Sequence, residues 1–373
     1  MKKIVPFILL LVLFAACKPS STSSSNEAGD TLAMHYTSLL TIQQCDGYIY
    51  AEVKDPWDST RVLHSYVLVD KDVEVPDNLP QGDLVRTPLA NSVVYTSVHC
   101  SLIDQLGAFD AIKGVCDASF IYLDKVQAGI KAGSIRDLGE SMNPNIEGVI
   151  DLSPDAILLS PFQNSGGYGK LGKLGILIIE CADYMEVSPL ARAEWMRFYG
   201  LLYGRLDAAD SIFAGVETRY NELKALAAEA DDRPTVFMDL KYGSQWYVPG
   251  GNSTVGIMLR DAGADYMYKE RPENGSVPLD PEVVFDHCID AEYWLIKYNQ
   301  DTDKTYDEIA REYSNYSKLA AFRTKNTFGC NLSKVPYYEE VPFHPDILLK
   351  DYIKIFHPAL LPDYTTRYFN LIK

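Results

Sequence analysis

The chain has no CxxC pair, no HExxH, no GxSxG, no P-loop lysine motif and no GxGxxG after a strand. These absences leave no recognisable redox, zinc-peptidase, serine-hydrolase, nucleoside-triphosphate or dinucleotide site. Positive charge is scarce: 34 Lys and Arg stand against 51 Asp and Glu, a net charge of -17. A nucleic-acid binder needs a basic face that releases counterions, so nucleic acid is not an expected partner. Attachment to an anionic membrane through protein charge is disfavoured on the same ground. The six histidines, His35, His64, His99, His287, His344 and His357, are scattered, and the last two each precede Pro, which suits helix boundaries. Without a close His cluster, a directly bound zinc or manganese ion is not expected. Long apolar runs are absent too, except at the N-terminus.

That run follows a basic "MKK", reads "IVPFILLLVLF", and ends in "AAC". It is shorter than the roughly 20 apolar residues a membrane span needs, and its parts match an export signal. The pattern resembles a bacterial lipoprotein, with residues 1–16 removed, lipid on Cys17 and a flexible tether over 17–33. The expected location is therefore the bacterial cell envelope, lipid-anchored and facing the periplasm. Six cysteines remain, Cys45, Cys100, Cys116, Cys181, Cys288 and Cys330. Their number suits an oxidising compartment, but the wide spacings assign no pairs and leave buried free thiols equally open.

Residues 34–92 alternate in short runs, "LLTIQQ", "GYIYAEV" and "VLHSYVLV", which read as an antiparallel β extension. From Val93 the pattern changes to continuous apolar runs alternating with helical stretches, "VVYTS", "SLIDQLGAF", "AILLSPF", "ILIIEC". That is the signature of a parallel sheet covered on both faces, and it defines an α/β lobe over 93–188. Apolar residues at three- and four-residue steps from Leu190 to Ala230 predict one long helix, a connector over 189–231. Gly200 and Gly204 on it would let another element approach. The α/β pattern then resumes over 232–373 as a second lobe.

The second lobe repeats the first. With Glu147 placed on Glu282, an offset of 135, "EGVIDLSPDAILL" meets "EVVFDHCIDAEYWL" with Val, Asp, Asp and Ala in common at Val149, Asp151, Asp155 and Ala156. "IDQLGAFD" is echoed by "LRDAGADY". Two matches in the same order on either side of a helix indicate duplicated lobes.

A lipoprotein cysteine, two Rossmann-like lobes and one joining helix together resemble the class III, helical-backbone solute-binding proteins of ABC importers. The segments "LSPDAILLSPF", "WYVPGGNS", "DAGADYMY" and "VPLDPEVV" look like that family's joints and cleft loops, from about Val93 to the C-terminus. The β extension and "VPFHPDILLKDYIKIFHPAL" depart from its shorter members. The resemblance implies a non-enzymatic, monomeric receptor that carries an iron-siderophore, haem or cobalamin as cargo, with no tightly bound cofactor. It also implies partners: an importer's permease and ATPase subunits. In that family a glutamate in each lobe pairs with permease arginines, which places Glu147 and Glu282 as docking residues. A metal-chelate-processing enzyme, chelatase or hydrolase, is the alternative on the same two-lobe fold, and a surface scaffold is a third.

In doubly wound lobes ligands sit at the carboxyl ends of the strands. Thr96, Ser97 and His99 lie on the first such loop, and Phe120, Phe162 and Tyr168 on later ones. Tyr242, Trp246 and Tyr247 follow "VFMDL", and Tyr337 and Tyr338 stand in "KVPYYEEVPF". Rigid aromatics on opposed walls suit a large, flat, partly apolar ligand, with His99 placed to ligate iron if the cargo is haem. Trp246 and Tyr247 are expected to form the C-lobe wall.

Overall fold

The computed structural model describes residues 30–163 and 168–373. Cys17 and the tether therefore lie outside the described residues. Strands β1 (Asp30–Thr31), β2 (Leu40–Cys45), β3 (Tyr48–Lys54), β4 (Val62–Asp70) and β5 (Asp83–Thr87) form a sheet in that order. The first four pair antiparallel, whereas β5 returns to lie parallel to β4. Leu40 lies opposite Val53 and Ile42 opposite Ala51, and Ala51 in turn lies opposite Tyr66. Directly opposed residues share a face, and these side chains are all buried. Two buried carboxylates fasten this sheet to the rest of the molecule. Glu194 accepts the N–H groups of His35, Tyr36 and Thr37 at 2.7, 2.8 and 2.9 Å, and Glu186 takes those of Ser38 and Leu39 at 3.1 and 3.0 Å.

The N-lobe sheet contains β6 (Ser92–Val94), β7 (Ile112–Val115), β8 (Arg136–Asp137), β9 (Ala156–Leu159) and β10 (Ile178–Glu180), in the order β10-β9-β6-β7-β8. All its pairings are parallel. Its helices are α1 (Ser97–Gln105), α2 (Asp124–Ala132) and α3 (Ile146–Leu152).

The single long helix expected over 189–231 is instead three: α4 (Pro189–Glu194), α5 (Met196–Leu202) and α6 (Leu206–Ala228). The cause is local. Gly204 adopts φ +62, where a helix cannot continue, and the Arg205 N–H turns back to the Gly200 carbonyl at 2.6 Å. A Cβ on Gly200 would come within 2.7 Å of the Ala209 Cβ, because α5 packs directly on α6. The two glycines serve this turn, and α6 alone, at 23 residues, runs from one lobe to the other, about 35 Å at 1.5 Å per residue. Gly204→Ala is expected to cost about 1–2 kcal/mol, the penalty of a side chain in left-handed backbone. Urea unfolding measures it, and an unchanged midpoint would show that the turn tolerates a right-handed conformation.

The C-lobe holds β11 (Thr235–Met238), β12 (Lys241–Tyr242), β13 (Gln245–Pro249), α7 (Thr254–Asp261), β14 (Asp265–Tyr266), β15 (Ser276–Leu279), α8 (Pro281–Cys288) and β16 (Tyr293–Tyr298). It continues through α9 (Tyr306–Glu312), α10 (Ala320–Arg323), β17 (Thr327–Asn331), α11 (Tyr337–Glu340), α12 (Pro345–Phe356) and β18 (Asn370–Leu371). Its main sheet runs β14-β11-β16-β17-β18, parallel except for the last strand, and β12-β13-β15 form a small antiparallel sheet.

The two main sheets follow one path. In each, the first strand (β6, β11) is flanked by the strand that follows its first helix (β7 after α1, β14 after α7). On its other side lies the strand that follows the repeated Glu-bearing helix (β9 after α3, β16 after α8). The remaining cysteines are free, all buried except the half-buried Cys45. Burial pushes the Cys100 thiol up to about 12. Among the described residues no helix is long and apolar enough to cross a membrane.

Candidate functional site

At the carboxyl ends of β6 to β9 the N-lobe carries a concavity of about 510 Å³. Each strand contributes to it. Tyr95 and Thr96 follow β6, Asp117 follows β7, Ser141 to Asn143 follow β8, and Leu159, Ser160 and Phe162 end or follow β9, with Tyr168 opposite. Parallel strands stop together here because their helices must turn back along the sheet, which leaves loop side chains and amides facing one crevice. Thr96 caps α1, its Oγ1 accepting the His99 N–H. Two residues in left-handed backbone, Asp117 at φ +50 and Tyr168 at φ +61, border the same space; such conformations persist where surrounding structure holds them.

Three of the residues expected at the site, Thr96, Phe162 and Tyr168, line this concavity. Phe162 is 43% exposed, and Met142, which the sequence did not single out, is 78% exposed at its rim. Phe120 stands exposed on the neighbouring turn after β7. A lone methionine within the turn-rich "GESMNPN" was the available signal for Met142. Residues 164–167 lie outside the described residues.

His99 does not face a ligand. It is buried, its Nδ1 2.5 Å from Thr96 Oγ1 and its Nε2 2.8 Å from Asp183 Oδ1 and 2.9 Å from the Tyr199 hydroxyl. Burial alone would raise the Asp183 carboxyl, but His99 and Arg192 outweigh it and hold the group below the ordinary carboxylate range. With both ring nitrogens engaged in this interior network, the expectation of an axial iron ligand is corrected.

Trp246 is likewise corrected. On β13 it lies opposite Lys241 and Leu279, it is 0% exposed, and its Nε1–H donates to the Met238 carbonyl at 3.1 Å. Strand alternation gives the other face to its neighbours: Tyr242 opposes Gln245, so Tyr242 and Tyr247 share the outward side, at 81% and 43% exposure. The exposed aromatics of this small sheet are that pair, without the tryptophan.

Tyr337 and Tyr338 divide in the same way. Tyr337 is buried against Tyr368 and Phe369, which corrects its placement on the rim, while Tyr338 is exposed. Both open α11, which crosses from the C-lobe onto α1 of the N-lobe. There the buried Glu339 lies beside the Ser97 side chain and the Tyr122 backbone, and burial raises its carboxyl above the usual range despite their opposing influence. Ser97 thus stands at the packing of α1 against α11. Just beyond, Phe343 packs on Tyr199 at 6.0 Å and His344 Nε2 lies 2.5 Å from Gln105 Oε1.

Glu147 and Glu282 are exposed in the first turns of α3 and α8. Asn145 caps the first helix through the Gly148 N–H at 3.0 Å, and Asp280 caps the second through the Glu282 N–H at 2.8 Å. Among the described residues no group of three or more His, Cys, Asp or Glu side chains is placed to hold a metal ion.

Comparison with known proteins agrees with this architecture. The family of periplasmic binding proteins matches residues 93–331. An uncharacterized lipoprotein of Methanocaldococcus jannaschii is 27% identical over 320 residues, covering 82% of this chain and 75% of its own length. A periplasmic heme binding protein from Pseudomonas aeruginosa superposes with a TM-score of 0.58 at 16% identity, over 76% of this chain and 98% of that one. The molybdate-binding protein MolA of Haemophilus influenzae superposes with a TM-score of 0.59 at 15% identity, over 76% and 90%. The family consists of transport-associated binding proteins, which sets aside the chelatase or hydrolase alternative. With two like-wound lobes and a cavity at the strand ends of the N-lobe, this chain belongs to the periplasmic binding protein family, the solute-binding components of ABC importers.

Proposed function

We propose that the protein captures an organic metal chelate, an iron-siderophore, haem or cobalamin, and delivers it to an ABC importer. The observation that carries this is the concavity itself. At about 510 Å³ it falls within the range of small-molecule and cofactor sites, roughly 300–1,000 Å³, far more than a bare ion needs. Its lining combines Tyr95, Met142, Phe162 and Tyr168 with the hydroxyls of Thr96, Ser141 and Ser160, which suits a ligand with apolar faces and a few polar points. Phe120, Tyr242, Tyr247 and Tyr338 are further exposed aromatics, available to the ligand if it reaches beyond the cavity. Lipid attachment at Cys17 belongs to the same proposal, supported by the export-signal pattern and by a relative that is itself named a lipoprotein.

The test is the absorption spectrum and mass of whatever copurifies, followed by titration with a ferric hydroxamate, haem and cobalamin. One of them is expected to bind at one per chain and to be recovered unchanged. Phe162→Ala is expected to weaken that ligand by about 1–3 kcal/mol, the scale of an aromatic anchor in an interface, with the fold intact. Binding of none of the three, alongside tight binding of molybdate, would replace the chelate with a small oxyanion as cargo.

A further inference from the structure

Tyr168 forms one side of the cavity, and its hydroxyl donates to Glu180 Oε1 at 2.7 Å. Glu180 ends β10 and is 7% exposed. Its second oxygen lies 3.4 Å from Nδ1 of His64, which reaches over from β4 of the N-terminal sheet. On the far side of the imidazole, Nε2 meets Asp83 Oδ2 at 2.9 Å. Tyr66 stacks on the ring, centroids 4.5 Å apart and planes 14° from parallel. Its hydroxyl accepts the Glu180 backbone N–H at 2.8 Å and donates to the Ile178 carbonyl at 3.2 Å. A chain of contacts therefore runs from the β extension to the cavity wall. A second concavity of about 440 Å³ opens beside it and is lined by both His64 and Tyr168.

A neutral imidazole has one N–H and an imidazolium has two. Both nitrogens of His64 face carboxylates, and only the imidazolium presents an N–H to each: Nε2 is within hydrogen-bond distance of Asp83, whereas the buried Glu180 Oε2, which has no hydrogen-bond partner among the described residues, is paired with Nδ1 by charge. The titratable groups that face it are Asp83 from β5, Glu180 from β10, Tyr66 from its own strand and Tyr168 from the cavity loop. Burial opposes the charge, but Glu180 and Asp83 outweigh it and the ring titrates above the ordinary histidine value of 6.5. The stabilisation from charged His64 is therefore complete below that value and is lost as pH rises through the raised one.

We propose that His64 is a positioning residue for the ligand cavity: held between Asp83 and Glu180, it fixes the Glu180 carboxylate as acceptor for Tyr168 and so sets the cavity wall from outside the two lobes. Its consequence for binding rests on the chelate proposal above, but the positioning itself can be measured without any ligand.

The experiment is carbon NMR of the protein grown with tyrosine labelled at Cζ, the Tyr168 signal being assigned with Tyr168→Phe. Between about pH 5.5 and 9, below the range of an ordinary tyrosine, the wild-type signal is expected to move in one step with a midpoint above 6.5. In His64→Gln and in Glu180→Gln the step disappears. In Asp83→Asn, a change at an exposed position, the step persists with a lower midpoint. The remaining tyrosine signals report whether each variant is folded. A flat Tyr168 signal in the wild type, or an unaltered step in His64→Gln, would overturn the proposal. Where a chelate binds, its affinity is expected to fall roughly tenfold across the same step, a typical coupling between sites, and to be flat in His64→Gln. Coupling without any bound chelate would overturn the choice of cargo and leave the positioning role standing.

Discussion

Cells producing the protein with Glu147→Lys and Glu282→Lys together are expected to take up no ligand, while the purified variant binds it with unchanged affinity. The two glutamates occupy equivalent places in the duplicated lobes, one in the first turn of each capped helix, and both are exposed. Among the described residues neither is engaged in an ion pair, so reversing them breaks no internal contact. Each sits where a helix dipole already favours negative charge, which by itself contributes only tenths of a kcal/mol and gives no reason for a matched pair. A pseudo-twofold receptor meeting a twofold transporter supplies that reason, since both halves of the interface then present one set of complementary charges. If the partner surface is basic, as the family resemblance implies, a lysine there would turn attraction into repulsion, which costs several kcal/mol. Each single reversal is therefore expected to reduce uptake by about tenfold or more, by the same like-charge argument. Uptake by labelled-ligand accumulation, run beside titration of each purified variant, separates docking from capture. Wild-type uptake by the double variant would sink the docking role.

Trp246→Ala is expected to destabilise the C-lobe by about 3–5 kcal/mol, the range for deleting a large aromatic from a core. The indole is wholly buried, lies 6.1 Å from the Phe237 ring, 6.4 Å from Trp294 and 5.7 Å edge-on from Tyr316, and satisfies the Met238 carbonyl. Alanine leaves both a cavity and an unpaired buried carbonyl, the more costly of the two ways to lose a hydrogen bond. Against a typical total of about 5–15 kcal/mol, that is enough to bring the lobe close to unfolding at ambient temperature. Trp246→Phe keeps most of the packing and loses the N–H, so a smaller loss of about 1–3 kcal/mol is expected. Urea unfolding followed by near-ultraviolet circular dichroism reads both. A Trp246→Ala protein of ordinary stability with weakened ligand affinity would return this side chain to the cleft wall.

The histidines show where legibility in the sequence ends. His99 was visible as a lone imidazole on the first cavity loop, but not the Asp183 and Tyr199 that enclose it, 84 and 100 residues away. His64 carried no signal at all, because its meaning depends on Glu180, brought beside it by the way the extension packs on the edge of the N-lobe. Thr96, Phe162 and Tyr168 were found because a strand-end rule places them by local order alone. Glu339 and Met142 were missed because no periodicity marks a side chain that crosses between lobes or stands on a turn.

By itself the sequence determined the layered α/β character, the extra β sheet, the two lobes and their duplication, since each is written in the period of apolar residues and in an ordered repeat. Only the tertiary structure decided which face of β13 turned inward, and so whether Trp246 or Tyr247 met solvent: a two-residue period fixes that the faces alternate, not which one the core lies against. The tertiary structure also decided that the spine is α6 alone, because the apolar spacing runs on through Gly204 while the backbone there turns left-handed to let α5 pack on α6. Periodicity records which side chains are to be buried; which partners bury them, and where the chain must turn to reach those partners, is set by contacts far apart in sequence.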